Sequence, residues 1–119
     1  MGLFDRWRKG GVASPGSAPS SRRDGPDMDV DLAAVKRHAQ EFVGSRRGVE
    51  GYVEPATNMT TTTLVLVAHD GEWTRRAVGA PKNGFGIARD LGIPVYDVNQ
   101  VGYPSRMRKW SQRQRDQKS

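Results

Sequence analysis

The 119-residue chain has no cysteine, which excludes disulfides, thiolate metal sites and a cysteine nucleophile. Hydrophobic residues make up only 35%, and the mean hydropathy is -0.71, so part of the chain is predicted to lie outside any packed core. The longest unbroken apolar run, Leu64–Ala68, is five residues, far short of the roughly 20 that a membrane helix needs. The amino terminus lacks the apolar stretch of a signal peptide. These absences predict a cytoplasmic protein with one small domain and no transmembrane segment.

Positive charge is plentiful, at a net +6, but it is unevenly placed. Residues 1–29 sum to +1, and residues 30–104 balance eight basic against eight acidic side chains. Residues 105–119 hold Arg106, Arg108, Lys109, Arg113, Arg115 and Lys118 against Asp116 alone. The pattern reads as a neutral body carrying a basic arm, because a cationic groove would have placed its charge in the body.

Four segments follow from composition. Residues 1–9 form a short apolar-basic peptide in which Leu3, Phe4 and Trp7 share one side of a helical turn. They are candidate docking residues for a partner groove, with peripheral membrane contact as another use. Residues 10–29 read as a flexible linker, since Gly, Ala, Ser and Pro fill 13 of the 18 positions from 10 to 27. Residues 30–104 form a single α+β domain, and residues 105–119 the basic arm.

Within the domain, Leu32, Val35, Ala39, Phe42 and Val43 make an amphipathic helix, capped by Asp29 or Asp31 and ended at Gly44 or Gly48. A strand over Val49–Glu54 and a second over about Met59–Ala68 follow; the apolar run of the latter predicts a central position. Asp70-Gly71 predicts a hairpin turn into a strand over Glu72–Val78. Pro81 opens a helix that Gly84 and Gly86 weaken. Ile93–Asp97 is a short last strand, its Pro94 pointing to an edge or a strand start, and Pro104-Ser105 opens a basic helix in which Met107 and Trp110 share a face. The order is α-β-β-β-α-β, giving a three- or four-stranded, mostly antiparallel sheet packed by two helices.

The chemical motifs that the sequence approaches each fail at a particular residue. Gly84-Phe-Gly86 resembles the start of a dinucleotide fingerprint, but Arg89 stands where a small residue is required. His69, Asp70 and Glu72 cluster at a hairpin tip without a second ligand pair. The element order matches that of PD-(D/E)XK magnesium nucleases, yet Glu72 is followed by Trp73 and Thr74 where a lysine belongs. Its first five elements match double-stranded-RNA-binding domains, yet Lys82 stands alone where those carry a lysine cluster. No catalytic, metal or cofactor site is expected.

Three motifs carry a resemblance: Asp70-Gly-Glu-Trp-Thr-Arg-Arg76, Leu91-Gly-Ile-Pro-Val-Tyr-Asp97 and Val101-Gly-Tyr-Pro-Ser-Arg-Met-Arg108. Over roughly residues 30–110 the chain resembles a family of small uncharacterised actinobacterial proteins. Some members are labelled oxidoreductases, a label no residue here explains. The chain departs from the family pattern at Pro81–Ile87, where Lys-Asn-Gly-Phe-Gly replaces an Ala/Glu-rich helix start. The expected function is a non-enzymatic interaction module. Arg106, Arg108, Lys109, Arg113, Arg115 and Lys118 contact an acidic protein or ribonucleoprotein, and Trp110 stacks or docks. The alternatives are nucleic-acid binding through the same arm and the oxidoreductase activity of the family label.

Overall fold

A computed structural model describes residues 30–118. The chain folds as α1 (Leu32–Ser45), β1 (Glu50–Glu54), β2 (Thr63–Val67), β3 (Trp73–Ala77), α2 (Pro81–Asp90), β4 (Val95–Asp97), α3 (Val98–Val101) and α4 (Ser105–Lys118). The strands form one mixed sheet in the order β3-β2-β1-β4. β1 and β2 pair antiparallel, as do β2 and β3, while β4 joins β1 in parallel after the crossover through α2. The α-β-β-β-α-β order and mostly antiparallel sheet match the sequence expectation, and β2 lies in the interior of the sheet.

Strand alternation sorts the side chains onto two faces. Val53, Leu64 and Leu66 face α1 and α2, where they pack with Leu32, Ala39, Phe42, Val78 and Ile87 in the main core. Asp31 caps α1 by accepting a hydrogen bond from the Ala34 N–H at 3.1 Å. The helical stripe of α1 also buries Lys36, whose ammonium reaches Asp90 at the end of α2 at 2.7 Å. Gly84 lets α2 approach the sheet: a Cβ there would lie 3.1 Å from Val53 Cγ2. The glycine that lowers the intrinsic propensity of α2 therefore serves its packing.

The opposite face holds Tyr52, Val65, Val67 and Trp73, and α4 closes over it through Met107. The basic helix is thus a third layer of the fold. The strand expected from Met59 begins only at Thr63. Thr57 Oγ1 accepts from the N–H groups of Met59 and Thr60, and the Thr57 N–H donates to the Thr60 carbonyl. This local turn takes the backbone groups that an extended ladder would have used. No helix among the described residues is long and apolar enough to cross a membrane.

Candidate functional site

The site is built on α4, whose sequence gives it one anchored side and one charged side. Met107, Trp110 and Ser111 recur at helical spacing, and the structure turns them toward the sheet. Met107 is buried against Tyr52, Val65, Val67 and Trp73. The Trp73 indole N–H donates to Ser111 Oγ at 2.8 Å. Trp110 is half-buried beside the hairpin turn, its Cβ within 2.9 Å of where a methyl on Gly71 would sit. It docks on the body.

The six expected cations divide according to this anchoring. Arg106 is committed internally: its Nε donates to the Ala68 carbonyl at 2.9 Å, and its Nη2 donates to Glu50 Oε1 at 2.7 Å. Arg113 is exposed but donates to the Asp70 carbonyl at 3.0 Å, tying α4 to the hairpin turn. Arg115 is exposed with a further contact of its own. Arg108, Lys109 and Lys118 are exposed, and their side chains make no ion pair or hydrogen bond to another described residue. Leu3, Phe4 and Trp7 lie outside the described residues.

Residues that sequence reasoning passed over cluster beneath and beside α4. The Glu54 carboxylate holds Arg75 at 2.7 and 2.9 Å and accepts from the hydroxyls of Thr63 and Tyr103. Burial opposes its charge, but the hydrogen bonds from Arg75, Thr63 and Tyr103 outweigh that penalty and hold its carboxyl below the ordinary value. Glu50 behaves alike. Burial is again the largest influence, and hydrogen bonds from Arg106 and Tyr52 overcome it. The same desolvation, reinforced by Glu50, pushes the Tyr52 phenol up to about 12. The alternation of Glu50, Tyr52 and Glu54 along β1 was the available signal, since it puts all three on one face.

On the other side of the sheet, Arg46 grips Glu72 through Nε and Nη2 at 3.0 and 2.8 Å and lies 4.3 Å from the Phe42 ring centre. The hairpin-tip acids are thus in structural use. Asp70 Oδ1 accepts from the Glu72 N–H at 2.9 Å. Among the described residues, no group of three His, Cys, Asp or Glu side chains gathers to hold a metal ion.

The three motifs that carry the family resemblance meet in space. Gly71 of the first stands against Arg106 of the third and Trp110 just after it, and the Asp70 carbonyl accepts from Arg113. Tyr96 of the second and Val101 and Tyr103 of the third line one cleft. Comparison with known proteins finds no matching family model, no matching curated protein and no matching solved structure.

Proposed function

We propose that the chain is a non-enzymatic interaction module that docks on an acidic macromolecule, a protein or ribonucleoprotein, through the outward side of α4. One observation carries this reading: the helix is fastened by Arg106, Met107 and Ser111, while Arg108, Lys109 and Lys118 stay exposed without a described partner. A merely solubilising tail would not require a fastened helix, and a fastened helix sets its cations in fixed relation to one another. That arrangement lowers the entropic cost of engaging a complementary surface. Membership in the actinobacterial family is part of the same proposal. Its motifs supply the fastening.

Charge reversal tests this reading better than truncation, because removing α4 would strip the cover from Val65, Val67 and Trp73. The triple variant Arg108→Glu, Lys109→Glu, Lys118→Glu leaves every anchor in place. Fluorescence anisotropy with labelled poly-L-glutamate and with labelled single-stranded RNA should show binding of the acidic polypeptide by the native chain and its loss in the variant. Equal binding by both proteins, or none by either, overturns the proposal. The nucleic-acid alternative predicts a distinct signature on the RNA arm. Three phosphate contacts give a slope of log K against log salt near about -2, at roughly -0.7 per contact. A flavin spectrum, or thermal stabilisation by NAD(P)H, would instead favour the oxidoreductase label.

A further inference from the structure

Beyond the edge of α4, the outer face of the sheet opens into a cleft of about 160 Å³ lined by Glu50, Tyr52, Tyr96, Val101, Tyr103 and Pro104, with Gly102 between. We propose that this cleft receives the alkylammonium end of a lysine side chain carried by a partner protein. The inference makes no use of Arg108, Lys109 or Lys118, and none of them lines the cleft.

Four features support it. First, three of the four exposed large apolar side chains among the described residues, Tyr96, Val101 and Tyr103, converge on this rim; Met59 is the other. Tyrosine clusters of this kind characterise macromolecular interfaces, where the ring gives contact area at little entropic cost. Second, the walls carry one sign of charge. Glu50 is the one charged wall residue among the described residues, and its side chain remains 29% exposed. Its Oε1 takes Arg106 and the Tyr52 hydroxyl, while its Oε2 accepts no hydrogen bond from a described residue and is the oxygen left for an ammonium. Arg106 does not line the cleft, and Arg75 is held on Glu54, behind Tyr103.

Third, the exposed aromatic surface of the rim is that of Tyr96 and Tyr103, since Tyr52 is buried beneath Tyr96. The Tyr52 and Tyr96 rings lie 5.4 Å apart and are tilted by 37°, and aromatic faces near a carboxylate attract ammonium groups through their quadrupoles. Fourth, the volume is below the roughly 300–1,000 Å³ of sites that enclose a whole small ligand, but it accommodates an ammonium with its last methylenes. An anion would meet Glu50. A neutral proline or aliphatic side chain would strip water from that carboxylate and give nothing back.

The test is NMR titration of the intact chain with a short neutral peptide bearing one lysine, alongside forms bearing Nε-acetyl-lysine or norleucine. The lysine form should shift the ring resonances of Tyr96 and Tyr103 saturably, with a Kd on the order of 1–10 mM. The acetylated and norleucine forms should bind at least about fivefold more weakly. Tyr96→Leu, which keeps an apolar cover over Tyr52, should weaken the lysine peptide about three- to fivefold. Val101→Lys, at a residue 57% exposed, should abolish binding by filling the rim with like charge, with an unchanged Tm checking that the fold is kept. Equal binding of the acetylated peptide, the absence of a saturable shift, or indifference to both substitutions overturns the proposal.

Discussion

Whether α4 belongs to the body is decided at Gly71. This residue turns the β2–β3 hairpin at φ +98, and a Cβ placed on it would lie 2.0 Å from the Arg106 carbonyl oxygen, 2.7 Å from its carbonyl carbon and 2.9 Å from Trp110 Cβ. Gly71→Ala therefore carries two costs. The backbone term, for an L side chain at positive φ, is about 1–2 kcal/mol. For the second, the first turn of α4 must retreat by about 1 Å to restore ordinary contact distances. That retreat loosens Met107, whose burial is worth about 1.5–3 kcal/mol. It also strains the Arg106 hydrogen bonds, together worth about 1–2 kcal/mol. Gly92→Ala is the control, since Gly92 has φ +72 with nothing within 4 Å of its Cβ and bears the backbone term alone. Urea unfolding of both variants, followed by tryptophan fluorescence, should place Gly71→Ala about 2–4 kcal/mol below Gly92→Ala. Hydrogen exchange in the first turns of α4 should quicken only in the former. Equal stabilities would refute the docking of α4, and with it the fixed placement of its cations.

The remaining predictions concern charge burial, pH and helix glycines. Asp90→Asn should destabilise by about 1–3 kcal/mol in urea unfolding, because the Lys36 side chain, only 8% exposed, loses the carboxylate it meets at 2.7 Å. The double variant Lys36→Met, Asp90→Asn should recover at least part of that loss. His38, 2.9 Å from Thr74 Oγ1, has its pKa lowered first by burial and then by Arg76. Its unfolded form takes up the proton first, so its contribution is whole above pH 6.5 and declines as pH falls through that value. His38→Gln should flatten the corresponding fall in Tm. Glu50 and Glu54, both held below the ordinary carboxyl value of 4.5, should add a second loss as pH drops beneath 4.5. Gly44→Ala, in α1 with nothing within 4 Å, should stabilise by about 1 kcal/mol. Gly84→Ala should destabilise by a similar amount, because the stiff Val53 side chain stands 3.1 Å from the new methyl.

That glycine pair marks the boundary of what a sequence discloses. Local periodicity and turn chemistry were enough for the element order and for the interior place of Leu64–Ala68, since each follows from residues within a few positions of one another. Gly44 and Gly84 look the same to such rules, and only the approach of α2 to β1 separates them. α3 had a readable signal, Asp97 capping the Asn99 N–H and Gly102 following, but a four-residue helix has too short a pattern to stand out. The charge asymmetry, equally visible, led to a basic arm whose cations all faced outward. In the folded chain Arg106 answers a carboxylate 56 positions away, and no local rule pairs residues at that separation. The tyrosine cleft was hidden for the same reason. Its walls come from β1, β4, the end of α3 and the turn before α4, segments that meet only because the crossover through α2 brings β4 parallel to β1. A guanidinium whose N–H groups are taken up inside the fold, as those of Arg106 are, is not offered to a partner, so a count of basic residues overstates the cationic surface until the long-range pairs are known. The three cations left on α4 are the ones on which an interaction reading stands.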